Sequence, residues 1–167
     1  MSSLTRPAAP SRTPEAALVF RTVSCEDLGA LLAILPPLTD PADVVSWVRR
    51  GEGLVGWGRA AAYRTGGPRR FADAERWWTH TAKRAVVRDE VGMPGTGPIC
   101  FGSLTFSADS TDRAVFVVPE VVVGHRGERW WVTTATTGPA PWPALDAGAP
   151  PRAPREVAFA DGALPSA

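Results

Sequence analysis

A chain of 167 residues, 44% hydrophobic and 21% charged, is long enough for one domain with its own core, because a domain of this size buries roughly 70% of its unfolded surface. Eighteen basic side chains against 17 acidic ones leave no basic field for a phosphate backbone, which argues against a nucleic-acid partner. No apolar run is long enough to span a membrane and residues 1–20 contain no signal-peptide pattern, so a soluble, cytoplasmic protein is expected.

The counts of cysteine and lysine limit the chemistry. Cys25 and Cys100 are too few for a disulfide framework or a four-ligand zinc site, and both are expected to serve as small buried side chains. Lys83 is the single lysine of the chain. A mechanism that needs a catalytic lysine therefore has one candidate.

Composition divides the chain into four segments. Residues 1–15 and 138–154 are rich in proline and alanine without periodicity, which predicts a disordered N-terminal segment and a linker. The folded unit is expected to be residues 16–137. In residues 155–167, the alternation of Val157 and Phe159 indicates that a second ordered segment begins before the end of the sequence.

The first predicted elements are a strand and a short helix. Residues 17–23 are rich in Val, Phe and Thr and predict a strand. Ser24, with Asp27 as its capping-box partner, predicts a helix that Pro36 and Pro37 end. Its apolar face would consist of Leu28, Leu31, Leu32 and Leu35.

A hairpin and a longer helix follow. Residues 44–50 and 54–64 flank Gly51-Glu52-Gly53, a three-residue connection that predicts a hairpin. Residues 70–88 predict the clearest helix, because apolar residues recur three and four positions apart. Its buried stripe would consist of Phe71, Ala74, Trp78, Ala82 and Ala85, widened by Trp77.

The last part of the folded unit is predicted to consist of strands. After a Gly- and Pro-rich loop at 92–98, residues 99–106 predict a buried strand. Residues 114–124 and 128–136 predict a second hairpin around His125-Arg126-Gly127, with Pro119 at an edge or a bulge.

Two helices and five or six strands joined by hairpins indicate an antiparallel α+β fold rather than a doubly wound sheet. The aromatic side chains are expected to dominate its core, because each buried indole removes about 150 to 250 Å² from water. The tryptophans expected there are Trp47, Trp57, Trp77, Trp78 and Trp131, with Trp130 on the opposite face of its strand.

None of the candidate chemical motifs is complete. Residues 51–56 match G-x-G-x-x-G, but a strand-like run follows where a dinucleotide site needs a helix. Ser103 lacks the second glycine of a nucleophile elbow. His80 and His125 have no ligand partners at metal spacing and are expected on the surface, and Asp89-Glu90 is expected at a solvated helix end. The sequence therefore assigns no catalytic, cofactor-binding or metal-binding residue.

Four separated blocks carry a resemblance to a known family. They are residues 46–58 (SWVRRGEGLVGWG), 71–90 (FADAERWWTHTAKRAVVRDE), 95–103 (GTGPICFGS) and 117–124 (VVPEVVVG). In this order, within residues 17–136, they resemble the N-terminal portion of isochorismate synthases of the chorismate-utilising superfamily. Ser107 and Ala108 follow Phe106 where an aspartate is usual in the family.

The resemblance implies a fold and an activity for a larger parent. The fold would be about half of a two-sheet α/β sandwich, with two packed helices. The activity would be Mg²⁺-dependent conversion of chorismate to isochorismate, for siderophore or menaquinone precursors. In the family a lysine base, a glutamate acid and the metal-binding glutamates lie in the C-terminal half. None of these residues maps onto this chain, and Lys83 is expected to be a solvated helix residue.

The resemblance also suggests how the chain relates to that parent. Residues 157–162 resemble the stretch that leads into the chorismate-binding half, so the chain is expected to be an inactive N-terminal fragment whose packing partner is the missing half. Two alternatives remain. One is a freestanding non-catalytic binding or assembly module, and the other is a fragment of a related anthranilate, aminobenzoate or salicylate synthase.

Overall fold

Two β-sheets and one α-helix build the described part of the chain. A computed structural model gives the structure of residues 16–36, 41–107 and 109–138. The α-helix, α1, is Arg70–Arg84, and short 3-10 turns occur at Leu31–Ala33 and Pro41–Asp43. The strands are β1 Val19–Cys25, β2 Val44–Arg49, β3 Glu52–Trp57, β4 Ala61–Thr65, β5 Val86–Asp89, β6 Phe101–Ser103, β7 Ala114–Val118, β8 Val121–Arg126 and β9 Arg129–Thr136.

The fold class predicted from the sequence, α+β, is confirmed. One sheet has six strands in the order β2-β3-β8-β9-β1-β5, and the other has three in the order β4-β7-β6. Neighbouring strands are antiparallel except β1 and β5, which are parallel. The helix α1 is not long and apolar enough to cross a membrane, and the described residues contain no other helix that is. The predictions for residues 1–15, 139–154 and 155–167 fall outside the described residues.

A bent two-stranded ribbon joins the two sheets. β3 continues into β4 and β7 continues into β8, so each predicted long strand, 54–64 and 114–124, is in fact two strands in different sheets. At the bend Glu120 N donates to Trp57 O and Ala60 N donates to Val118 O. Pro119 is buried in this corner, so it marks a crossing between sheets rather than an edge or a bulge.

Gly58 lies at the same corner, where the backbone conformation and the limited space both favour glycine. Its φ is +73°, and a Cβ placed there would lie 2.6 Å from Glu120 Oε2. Any other residue would meet both backbone strain and a steric clash.

Both predicted hairpins are present, each with a shorter turn than expected. Arg49 pairs with Glu52, so the first connection is the two residues Arg50 and Gly51, both with positive φ (55° and 83°). These angles indicate a type I′ turn, which matches the twist of a two-stranded ribbon. In the second hairpin β8 extends through Arg126, which pairs with Arg129, so the turn is the two residues Gly127 and Glu128.

The predicted helix at Ser24 is wrong. β1 continues to Cys25, since Ser24 and Cys25 pair with Trp131 and Trp130 of β9. The apolar residues that follow form only the 3-10 turn, through which Leu31 and Ile34 pack on the six-stranded sheet. Pairing with β9 therefore outweighs the local capping signal.

The predicted helix at 70–88 is correct at its start and too long at its end. It ends at Arg84, because Val86–Asp89 forms β5 and pairs in parallel with β1. The buried face is also rotated from the predicted stripe: Phe71 is 56% exposed, and the buried positions are Arg70, Ala74, Trp77 and Thr81.

The six-stranded sheet is covered on both faces. On one face, the 3-10 turn covers Val55, Val123, Trp130 and Val132. The other, the α1 face, carries Phe20, Leu54 and Trp131, and α1 and the three-stranded sheet pack over part of it. Trp77 lies at this junction and stacks on Tyr63 with ring centroids 5.3 Å apart.

Two expectations about burial are wrong. Trp47, expected in the core, is 75% exposed because β2 is an edge strand. The predicted buried strand 99–106 is the short strand β6, whose Gly102 and Ser103 are exposed. Trp130 and Trp131 lie on opposite faces, as predicted, and both are buried.

Candidate functional site

An open apolar cleft separates the two sheets. Its helix-side part, about 580 Å³, lies between α1 and residues 98–104 and is lined by Phe71, Trp78 and Phe116 among others. Its edge-side part, about 640 Å³, lies between β2 and the three-stranded sheet. The two parts share Leu54, Ile99, Cys100 and Gly102.

The cleft has little charge in its walls. Glu75 is the charged residue of the helix-side lining, and the edge-side lining has none among the described residues. Of the surrounding large hydrophobic side chains, Phe71 is 56% exposed and Leu104 42% exposed, and the neighbouring Phe106 is fully exposed. Apolar surface of this kind typically marks a place where another surface packs.

A hydrogen-bonded loop positions one wall of the cleft. The Asp89 carboxylate, at the end of β5, accepts from Val91 N and Gly92 N through Oδ1 (2.9 and 3.0 Å) and from Thr96 Oγ1 through Oδ2 (2.5 Å). At its tip, Gly95 O accepts from Trp131 Nε1 at 3.0 Å. The loop is therefore tied to the α1 face of the sheet.

This arrangement shows that Asp89 is not at the solvated helix end that was expected, and it explains the lowered pKa of its carboxyl group. Asp89 lies not at a helix end but at a strand end, where it closes a loop. Partial burial raises the pKa of Asp89, but the hydrogen bonds from Thr96, Gly92 and Val91 outweigh burial and lower the pKa below its usual value. These hydrogen bonds give Asp89 a structural role, because all three donors belong to the loop that it closes.

Arg70 holds another wall. Its guanidinium, in a side chain only 5% exposed, donates to three carbonyls: Gly67 O at 3.1 Å, Thr105 O at 2.9 Å and Phe106 O at 2.6 Å. It also lies 4.4 Å from the ring centre of Phe71. α1 thereby fixes the loop that carries the exposed Phe106. Periodicity missed this residue because an arginine at the start of a helix is normally solvent-exposed.

The cysteines are unsuited to nucleophilic chemistry. Both are free and partly buried. Burial raises the pKa of Cys100 to about 12, against a small opposing effect of the Val117 backbone, and burial also raises the pKa of Cys25. Since the thiolate is the reactive form, the raised pKa values disfavour nucleophilic chemistry at both thiols at neutral pH.

The remaining candidate residues lie apart from one another. His80 is exposed on α1 and contacts Arg84 at 3.2 Å. His125 is half-buried, stacks on Trp130 with centroids 4.1 Å apart, and its ring nitrogens contact Gly51 O and Gly127 O. Ser103 and Lys83 are exposed, on β6 and α1. The G-x-G-x-x-G run forms the hairpin turn and β3, so no helix follows it.

The described residues do not fit a magnesium ion. Mg²⁺ needs several oxygen ligands that converge from separate elements. Within residues 16–36, 41–107 and 109–138, no group of three or more His, Cys, Asp or Glu side chains is placed to hold a metal. Reaction steps that use the metal therefore have no basis in this part of the chain.

Comparison with known proteins places the chain in a family. Neither the comparison with curated proteins nor that with solved structures finds a match. The family model described as "Chorismate binding enzyme" matches residues 13–140. That range spans every strand and helix described above and most of the chain. The chain therefore belongs to the chorismate-binding enzyme family.

Proposed function

We propose that this chain is the N-terminal scaffold region of an isochorismate synthase and that it is inactive alone. The parent would convert chorismate to isochorismate with Mg²⁺, supplying siderophore or menaquinone precursors. The observation that supports the proposal is the family match over residues 13–140, which identifies a chorismate-binding enzyme but not its reaction. The choice of isochorismate synthase is supported by the order and content of the four sequence blocks in residues 46–124.

The cleft between the sheets supports a scaffold role. Its helix-side and edge-side parts are open and apolar, and among the described residues that line these two parts Glu75 alone is charged. The charged residues Arg49, Glu52 and Arg126 line an adjoining cavity of about 470 Å³ at the hairpin end of β2. A chorismate site has to bind carboxylates and a cation, which calls for charged groups in the wall. An apolar cleft is better suited to packing against another protein surface, and we propose that the C-terminal half of the parent packs there.

The activity test compares this chain with the polypeptide that its gene encodes when the coding DNA is read beyond the Ala167 codon. With chorismate and Mg²⁺, residues 1–167 alone should form no isochorismate by chromatography, whereas a longer product with the catalytic half should form it. Anthranilate, aminobenzoate or salicylate as the product would instead identify a related synthase. Any turnover by residues 1–167 alone would contradict the scaffold proposal, and turnover that survives Lys83→Ala would also show that the single lysine is not its base.

The packing test uses a dye that fluoresces on exposed apolar surface. The chain should bind it strongly, and Phe71→Ser should reduce the binding because Phe71 lines the helix-side cleft. Leu32→Ser is the matched control, since Leu32 is similarly exposed (50%) but lies on the 3-10 turn over the opposite face of the sheet. Equal effects of the two substitutions, or no dye binding, would argue against the cleft as the packing surface.

A further inference from the structure

The free edge of the six-stranded sheet is strand β2. In the described part of the chain β2 pairs with β3 alone. Its sequence, Val44–Arg49, has six residues and no proline or charge before Arg49. Trp47 in its middle is 75% exposed. Proteins usually protect such an edge with charges, prolines or bulges, because its unpaired backbone groups can pair with another strand.

The turn determines which backbone groups of β2 are free. In a two-residue hairpin the residues that flank the turn, Arg49 and Glu52, form a hydrogen-bonded pair. Hydrogen-bonded pairs then recur at Trp47–Leu54 and Val45–Gly56. The N–H and C=O groups of the alternate residues Val44, Ser46 and Val48 therefore face away from β3.

This pattern is self-complementary. If β2 pairs antiparallel with the same strand of a second copy, the outward groups can meet only in a few registers. With Ser46 opposite Ser46, Val44 lies opposite Val48 and Val45 opposite Trp47. Asp43, the last residue of the 3-10 turn that precedes β2, then lies near Arg49 of the other copy at the end of the paired strands. Shifting the axis by one residue to Trp47 leaves Arg49 opposite Val45, so charge favours the register centred on Ser46.

We propose that β2 is a dimerisation edge, at which two copies of this chain pair antiparallel about a two-fold axis through Ser46. The pairing joins the two six-stranded sheets into one continuous sheet. It places Val45 of the other copy beside the indole of Trp47 on the same face of the joined sheet, and the opposite side of that indole still lines the edge-side part of the cleft. Asp43 keeps its 2.7 Å ion pair with Arg59 through Oδ1 and meets Arg49 of the second copy at the rim. The proposal does not depend on which chorismate reaction the parent performs.

Cross-linking tests the register directly. Directly opposed residues in a hydrogen-bonded antiparallel pair have Cα atoms about 5.5 Å apart, which a disulfide can bridge. Under mild oxidation Ser46→Cys should form a covalent dimer. Val48→Cys should not, because each introduced thiol would lie opposite Val44 of the other copy, four residues from its counterpart. Both variants retain Cys25 and Cys100, so a difference in cross-linking between them cannot come from the native thiols. A covalent dimer of Trp47→Cys without one of Ser46→Cys would overturn the register.

Sedimentation across protein concentration tests the dimer itself. The chain should pass from monomer to dimer between about 1 and 100 μM, as expected of a small interface. Ser46→Pro should be monomeric and should melt like the wild type, because the N–H it removes faces away from β3. Arg49→Glu should weaken the dimer at least about tenfold, since it places two acids together. Arg50→Glu makes the same charge change in the turn and should not.

The contradicting outcomes are distinct. A wild-type chain that stays monomeric at the highest concentration overturns the proposal, as does a folded Ser46→Pro variant that still dimerises. If Ser46→Pro fails to fold, the dimerisation constants of Arg49→Glu and Arg50→Glu test the proposal instead. Equal dimerisation of those two variants would overturn the proposal. Loss of dimerisation would not change the expected dye binding at Phe71, so this proposal and the scaffold proposal can fail separately.

Discussion

The indole of Trp131 lies directly over the α-carbon of Gly124, its registered partner across β8 and β9. A Cβ at Gly124 would lie 2.1 Å from Trp131 Cε2. The same relationship recurs in the other sheet, where Gly102 is the partner of Phe116 and a Cβ would lie 2.6 Å from the ring. In each sheet a glycine thus makes room for an aromatic ring that contributes to the core or to the cleft wall.

Gly124→Ala should destabilise the fold by about 2 kcal/mol, because the fully buried Trp131 has little space to move away from an added methyl group. Gly66→Ala is the control, since a Cβ there meets nothing closer than 3.8 Å. Urea denaturation followed by tryptophan fluorescence measures both. Equal midpoints for the two variants would show that Trp131 can move aside at no cost.

The hydrogen bonds to Asp89 predict a loss of stability in acid. Because folding lowers the pKa of this carboxyl, its contribution is fully present above the unfolded-state pKa and is lost as pH falls through the lower folded-state pKa. Melting temperatures between about pH 6 and pH 2 should therefore fall less steeply for Asp89→Asn than for the wild type. Glu90→Gln, one residue away, should retain the wild-type slope. A parallel fall in all three proteins would contradict the role given to Asp89.

Arg70 should be important for the loop that follows β6. Arg70→Gln leaves at least one of the carbonyls of Gly67, Thr105 and Phe106 without its donor in a part-buried site, which costs about 1 kcal/mol. Arg69→Gln is the control, because Arg69 is exposed and adjacent. Hydrogen exchange should show faster exchange at residues 104–107 in Arg70→Gln alone. Unchanged exchange there would mean that the loop is held by other contacts.

Cys100 should be unreactive in the folded protein. With its pKa raised to about 12 by burial, less than about one thiol in a thousand is ionised at pH 8. In a Cys25→Ser background, a chromogenic disulfide reagent should modify Cys100 slowly until denaturant is added. Modification of the folded variant at the rate of a free thiol would show that the cleft opens widely enough to hydrate Cys100.

Local signals in the sequence determined several features correctly. The turn residues Arg50 and Gly51 lie inside the predicted hairpin, and the helix begins at Arg70 as periodicity indicates. Pro119 is correctly predicted to be an irregular position because it cannot donate to a ladder, although the edge or bulge predicted there is a crossing between sheets. The α+β class and the resemblance to chorismate-utilising enzymes also came from the sequence, and the family match supports the latter at the level of chorismate binding.

The features that local patterns did not predict depend on contacts between segments far apart in the sequence. Val86 and Val87 continue the helical period of α1, yet they form β5, because β1 supplies a strand to pair with. Trp47 alternates like a core residue, but its strand is last in the sheet and has no neighbour among the described residues to cover it. The burial of Arg70 depends on carbonyls about 35 positions further along the chain. Periodicity reports the local geometry of a segment, whereas burial depends on which other segment packs against it.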